Sequence, residues 1–272
     1  MRFEDFKKIV DEMAPFLYEI DLNNWGEPFL NQEIIRMVEY AHKKRLKTSV
    51  NTNLNVPLSE KDAVDLINAG LDVLYISMDG ISQKTYEKYR IGGNLAAVQK
   101  NIRLVAEKKK ALGNKNPKIV WQFLVNKFNE HELPQLEHVK RDLGIDELVL
   151  GGVRSDMGKE IFTMDREKVE SLNKWLPENE DYSRYDYREK KRKLQKRWCH
   201  FLWFVSVINW NGSVSPCCSS YFEKLDFGNA FEKGFKPIWN NEKYAGARKA
   251  VAAHKPESKT VCDNCIRTGF ID

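Results

Sequence analysis

The alternation of apolar and amphipathic runs predicts an α/β protein: a partial, open parallel βα barrel followed by a small second unit that contains a β-hairpin. Three observations carry this expectation. From the start to about Trp175, β-branched apolar runs alternate with helical runs. The strand-like runs are apolar almost throughout, as strands covered on both faces are. Polar residues gather just after each of the first three strands, on the side where parallel α/β folds bind ligands.

Leu17–Leu22 reads as the first strand and Asn31 to Lys44 as its helix, with Ile34, Ile35, Met37, Val38 and Ala41 on one side. Thr48–Asn51 is the second strand. Ser59 to Ala69 follows as a helix, with Ser59 at the N-cap, Asp62 at N3 and Gly70 as the stop. Val73–Ser77 is the third strand, and a helix from Leu95 to Leu112 comes after a loop. Ile119–Val125 and Glu130 to Leu143 form the fourth strand and helix. Glu147–Leu150 is the fifth strand, with a helix near Arg166 to Trp175. Five such units are too few for a closed eight-fold barrel, so the barrel is open. The expected boundaries are a barrel domain over 1–176, a charged linker over 177–197 and a second domain over 198–272.

The linker contains Arg184 to Lys193, rich in charge and poor in aliphatics, and reads as a solvated segment. The formal net charge of +5 over 272 residues is mild, so nucleic acid is not an expected partner. An RNA-binding protein is the rival reading, and steep salt dependence would mark it. There is no apolar run of membrane-spanning length, and the first residues lack the apolar core of a signal peptide. A cytoplasmic protein is the expectation.

The cysteines are confined to one end: Cys199, Cys217, Cys218, Cys262 and Cys265. An odd number without a secretory signal argues against a disulfide framework. Asn211-Gly212 between Val205–Trp210 and Ser213–Pro216 predicts a hairpin with a two-residue type I′ turn. The hairpin would bring Cys199 beside Cys217, and the Cys262-x2-Cys265 pair would complete four sulfurs. Four thiolates suit tetrahedral zinc or a 4Fe–4S cluster, and spacing alone does not choose. Buried core cysteines are the plain alternative. Cys218 is spare, because neighbouring side chains on a strand point to opposite faces. His200 is not included in the set.

Several short motifs, in order, resemble the radical S-adenosylmethionine (SAM) superfamily. Gly26-Glu27-Pro28 looks like its glycine–glutamate–proline motif, and Asn51-Thr52-Asn53 is similar to its threonine–asparagine strand end. Ser77-Met78-Asp79-Gly80, Tyr86 to Gly93 and Asn129 to Glu132 match later segments. Gly212-x4-Cys217, Gly228-Asn229, Ile238-Trp239 and Cys262-x2-Cys265 resemble the SPASM and twitch extensions, which hold auxiliary clusters.

The resemblance implies a SAM-dependent oxidoreductase or modifying enzyme that abstracts hydrogen through a 5′-deoxyadenosyl radical. Its substrate would be a peptide or small molecule, and its electron donor a flavodoxin or ferredoxin. Gly26, Glu27 and Pro28 would line the SAM amino group. Asn51, Thr52 and Asn53 would belong to the same cofactor site. Ser77 and Asp79 would lie near the ribose or carboxylate, and Arg90 would pair with a carboxylate. Cys199, Cys217, Cys262 and Cys265 would ligate an auxiliary 4Fe–4S cluster.

One departure matters more than the matches. The family holds its catalytic cluster with Cys-x3-Cys-x2-Cys after the first strand, and no cysteine precedes Cys199. The family also has six βα units, one more than are read here. No catalytic residue is therefore assigned. The expectation is an N-terminally truncated chain that cannot cleave SAM alone, with SAM and a second 4Fe–4S cluster belonging to a fuller version. The alternative is a non-catalytic iron–sulfur or zinc-binding α/β protein with a binding or regulatory role.

Overall fold

A computed structural model describes residues 1–155, 171–193, 199–218, 220 and 222–267. The chain divides into two compact units. One comprises Ala14–Val153 and Pro177–Tyr182; the other gathers Met1–Met13 with the described residues of the remainder.

The first unit is a five-stranded sheet in the order β1-β2-β3-β4-β5, formed by Glu19–Asp21, Lys47–Thr52, Val73–Ser77, Lys118–Val125 and Glu147–Gly152. All four neighbouring pairs are parallel. Helices α2 (Ile34–Lys43), α3 (Glu60–Asn68), α5 (Leu95–Ala111) and α6 (Leu136–Leu143) follow successive strands. The sheet presents two unlike faces, because side chains alternate along each strand. Val50, Leu74, Ile76, Ile119, Trp121 and Phe123 point one way, into the core with Leu66, Val98, Ile102 and Val105 from α3 and α5. Asp21, Ser49, Asn51, Tyr75, Ser77 and Gln122 share the other face.

Local chemistry sets the helix ends. Ser59 and Asp62 form a reciprocal capping box on α3: the Ser59 hydroxyl accepts from the Asp62 amide at 3.1 Å, and the Asp62 carboxylate accepts from the Ser59 amide at 3.0 Å. The expected single helix from Glu130 to Leu143 is instead a 3-10 turn, Glu130–Gln135, leading into α6. Pro134 has no amide proton for the α-helical ladder, so regular helix starts only after it. A helix that the motif reading passed over, α4 (Gln83–Tyr89), occupies the loop after β3 and is capped by Ser82. Of the helix expected at Arg166 to Trp175, residues 166–170 lie outside the described residues, and Ser171–Trp175 is 3-10.

The second unit includes the first helix, α1 (Phe3–Met13). Its Ile9 and Met13 pack against the core formed by Leu202, Val214, Phe227, Ile238, Tyr244, Val251 and Cys262. The Glu12 carboxylate caps the helix Phe235–Trp239, accepting from the Phe235 and Lys236 amides at 2.9 and 2.8 Å. The segment expected as a solvated linker contains a small antiparallel pair, β6 (Tyr185–Asp186) with β7 (Lys191–Arg192). Tyr185 is buried there and its hydroxyl accepts from the Ser155 amide at 2.9 Å. One buried aromatic with a bonded hydroxyl was hidden in a run whose composition is that of solvent-facing chain. Linker residues 194–197 lie outside the described residues.

The expected hairpin is present as β8 (Val207–Ile208) and β9 (Ser213–Ser215), with β10 (Gly228–Asn229) adding a third strand. Its turn differs from the expected one. Asn209 pairs back to Ser213, leaving a three-residue loop, Trp210-Asn211-Gly212, in which only Gly212 has positive φ, at 84°. A type I′ turn needs φ > 0 at both Asn and Gly. Here the Asn211 side chain accepts from the Ser213 amide at 3.1 Å, and Asn229 donates to the Asn211 carbonyl at 3.0 Å. A Cβ at Gly212 would also run into Asn229 and Phe231 at 2.5 Å.

Trp121 offers a direct test of the sheet core. It is fully buried, and its indole N–H donates to the Met78 carbonyl at 2.6 Å. Trp121→Phe should cost about 1–3 kcal/mol from the orphaned carbonyl, with a further loss from the void. Urea unfolding measures this, and an unchanged midpoint would contradict the packing role.

Candidate functional site

The polar residues expected at the strand ends do gather there, and most of them bind one another. After β1, Gly26 has φ of 96° and open space around it. The Glu27 carboxylate accepts from the Thr52 hydroxyl at 2.6 Å, the Asn53 amide at 2.8 Å and the Phe29 amide at 3.1 Å. It ties the loop after β1 to the end of β2 and caps the short 3-10 turn Pro28–Leu30. Asn51 reaches across the sheet. Its amide donates to Gln122 Oε1 at 2.7 Å, and its Oδ1 accepts from the Ser77 hydroxyl at 3.0 Å. Gln122 is a member of this row that motif reading missed; its place on the same face, two strands from Asn51, was legible only once the register was known.

Asp79 is fully buried after β3. Its Oδ2 accepts from Arg90 Nε at 2.7 Å and lies 2.6 Å from Arg90 Nη2, while Oδ1 accepts from the Leu124 amide at 2.7 Å. Burial pushes the Asp79 carboxyl up, opposed by the Arg90 guanidinium and the Leu124 amide. Gly80 follows because a Cβ there would lie 2.5 Å from the Tyr86 amide nitrogen. The loop after β4 holds this turn from the other side. Asn129 donates to the Asp79 and Leu124 carbonyls at 3.1 and 2.9 Å. Buried Glu132 accepts from the Ile81 amide at 2.9 Å and the Ser82 hydroxyl at 3.1 Å. Glu130, beside them, accepts from the Glu178 and Asn179 amides, both at 3.0 Å.

In the other unit, Cys262 is buried in the core, with Cys199 and Cys265 packed against the same cluster. Cys217 lies within electrostatic reach of Cys262, as does Cys199. Cys218 is exposed. Burial, with Cys217 beside it, pushes the Cys262 thiol up to about 12. The Cys262-x2-Cys265 pair opens the helix Cys262–Arg267, and Asp263 between them is structural. It accepts from the Ser258 and Lys259 amides, both at 2.9 Å, and so fixes the loop that leads into the pair. No disulfide joins the cysteines. Among the described residues no three His, Cys, Asp or Glu side chains converge closely enough to hold one metal ion.

The pairing of Asp79 with Arg90 has a measurable consequence. A carboxyl whose folded value is raised binds its proton more tightly when folded. The stability it contributes is fullest at acid pH and is lost as pH rises through the raised value. Arg90→Met removes the main opposing charge and leaves a buried, uncompensated acid. The variant should lose about 3–5 kcal/mol near neutral pH. The loss should shrink toward pH about 4, where carboxyls take up protons. Denaturant unfolding at the two pH values decides; equal losses would show that Asp79 carries no charge in the folded protein.

Residues 199–266 match the model of the SPASM iron–sulfur cluster-binding domain. The chain is 26% identical to the tungsten-containing aldehyde ferredoxin oxidoreductase cofactor-modifying protein of Pyrococcus furiosus, over all of this chain and 83% of the relative. It is 23% identical to the Fe-coproporphyrin III synthase of Methanosarcina barkeri, over 99% of this chain and 73% of the relative. Among solved structures, BtrN in complex with AdoMet and 2-DOIA is 18% identical and superposes with a TM-score of 0.56, over 97% of this chain and 79% of BtrN. SuiB of Streptococcus suis bound to S-adenosylmethionine is 14% identical and gives 0.62, over 91% of this chain and 60% of SuiB. Residues 199–266 thus match a SPASM-type iron–sulfur cluster-binding domain, and the chain as a whole is similar to radical SAM proteins.

Proposed function

We propose that this chain supplies the SAM-binding sheet and the auxiliary iron–sulfur domain of a radical SAM enzyme that modifies a peptide or a small metabolite. The observation that carries the reading is the thiol core: Cys199, Cys262 and Cys265 share one packed cluster, with Cys217 in electrostatic reach of the buried Cys262. A thiol pushed up to about 12 by burial stays protonated unless a cation compensates it, and ligation by iron supplies that compensation.

The choice of iron over zinc is supported by the match of residues 199–266 to an iron–sulfur cluster-binding domain, since four thiolates suit either metal by their number. Cys199, Cys217, Cys262 and Cys265 are the proposed ligands, and exposed Cys218 is left out of the set.

At the sheet, the backbone of Gly26-Glu27-Pro28 is proposed to meet the SAM amino group, with the Glu27 carboxylate holding that edge against Thr52 and Asn53. Ser77 and Asn51 face the ligand side from the polar face of the sheet. Asp79 and Arg90 act by positioning, since both Asp79 oxygens are engaged inside the fold. When SAM and a catalytic cluster are bound together, they supply a carbon radical that abstracts hydrogen. Residues 1–198 contain no cysteine, so this sequence offers no thiolate for a catalytic cluster beside the sheet.

The same fact favours a second reading, a non-catalytic iron–sulfur or zinc-binding α/β protein with a binding role. The partners under the first reading are a peptide or small-molecule substrate and a flavodoxin or ferredoxin as electron donor. SuiB has been solved bound to its precursor peptide SuiA, which supports the peptide class. No described helix is long and apolar enough to cross a membrane.

Anaerobic reconstitution with iron and sulfide, followed by metal analysis, tests the proposal. The chain should load one cluster, retained in Cys218→Ser and lost in Cys262→Ser. Zinc in its place, or no metal, would favour the binding-protein reading. With SAM and a strong reductant the loaded chain alone should form no 5′-deoxyadenosine; its formation would refute the reading that the sheet has no catalytic cluster of its own.

A further inference from the structure

One tyrosine on the ligand side of the sheet carries a hydroxyl that the fold does not use. Tyr86 lies in α4, in the loop after β3, and is 1% exposed. Two glycines shape its seat. A Cβ at Gly80 would lie 2.5 Å from the Tyr86 amide nitrogen. A Cβ at Gly93 would lie 2.6 Å from Cε1 and 3.1 Å from Cζ of the ring. Those last two distances set the hydroxyl-bearing end of the ring against the Arg90–Gly93 turn. The Gly93 amide closes that turn by donating to the Arg90 carbonyl at 2.8 Å, and the Gln83 side chain donates to the Gly93 carbonyl at 2.8 Å. Phenylalanine would fill the same seat.

The oxygen is therefore what needs a reason. The Tyr86 hydroxyl has no hydrogen-bond partner among the described residues. It is not sealed from solvent, so the little exposure that the residue keeps includes this atom. A nearly buried polar group without a partner costs stability, and native structures satisfy such groups with water or a ligand. Burial raises the phenol, so the group stands there as a neutral donor. Arg90 is its neighbour. The two residues are four apart, and the Arg90 amide donates to the Tyr86 carbonyl at 2.9 Å, which places their side chains on one helical face. The Arg90 side chain is 28% exposed and spends Nε and Nη2 on Asp79, with Nη1 uncommitted among the described residues. An uncommitted cationic nitrogen beside an uncommitted O–H donor suits an anionic oxygen.

We propose that Tyr86 is a binding residue for SAM, its hydroxyl donating to the carboxylate of the ligand beside Arg90. This rests on the reading of the sheet as a SAM site, and the test separates the two.

The test is equilibrium dialysis of the full chain with SAM and with decarboxylated SAM, which lacks only the carboxylate. Urea unfolding without ligand runs alongside. The wild-type chain should hold SAM more tightly than the decarboxylated probe. Tyr86→Phe should bind SAM about tenfold more weakly, the worth of one hydrogen bond to a charged group. It should bind the decarboxylated probe as the wild type does. Its unfolding midpoint should equal or exceed the wild-type value, because the lost hydroxyl has no partner in the fold. Equal wild-type affinity for the two probes, an undiminished SAM affinity in Tyr86→Phe, an equal loss for both probes or a lower midpoint would each overturn the proposal and leave the SAM reading intact. A wild-type chain that binds neither probe overturns the reading of the sheet and this inference with it.

Discussion

The Asp79 carboxylate is the constraint on which the ligand side of the sheet depends. It sits in the core with no exposure, so each of its oxygens must be satisfied inside the protein. One oxygen receives two contacts from Arg90 and the other receives the Leu124 amide. The first links the turn after β3 to the end of α4, and the second links it to β4. Three chain segments thus share one acid. Glu27 does the same between the loop after β1 and the end of β2. At the opposite end of the strands, Asp72 accepts from the Thr48 amide at 2.9 Å, and Asp146 accepts from the Ile119 amide at 2.7 Å and from Lys109 Nζ at 2.6 Å. Loop carboxylates clip neighbouring strands at both ends of a parallel sheet, which has no tight hairpins to fix its register.

These clips decide which groups are left for chemistry. Glu27, Asp79 and Glu132 are acids at this edge of the sheet, and each is engaged by backbone or side-chain donors. On its polar face the sheet carries the Ser77 hydroxyl and the side-chain amides of Asn51 and Gln122, joined to one another by hydrogen bonds. Such a surface recognises by hydrogen bonding and offers no free general base among these residues. That suits a reaction whose reactive species comes from a cofactor, with the protein restricted to holding it in place.

The fold was largely legible in the sequence because its strands are short apolar runs and its caps are local. Ser59 with Asp62 depends on three residues of separation and nothing more. The failures share a different cause. The turn at Asn211-Gly212 follows from Asn229, eighteen positions away, which bonds the Asn211 carbonyl. The buried Tyr185 sits in a run whose composition is that of solvated chain, and its partner Ser155 is thirty residues distant. Gln122 carries no motif, and only the register of the sheet brings it beside Asn51. The cysteines were visible as a set, with Cys217 chosen over Cys218, and in the fold Cys217 is partly buried while Cys218 is exposed.

The two units solve opposite electrostatic problems. At the sheet, anionic groups are compensated within the chain, so that edge is organised before any ligand arrives. In the cysteine unit the compensation must come from outside. Cys262 is buried among other thiols, and its neighbouring acid, Asp263, is spent on the Ser258 and Lys259 amides. Arg248, a cation beside that core, is held over the Trp239 and Tyr244 rings and by two backbone carbonyls. No side chain named in this core supplies the positive charge that would let the thiols ionise together. Under the function proposed above a cationic metal core would do so, and its binding would then be coupled to the stability of the domain that surrounds it.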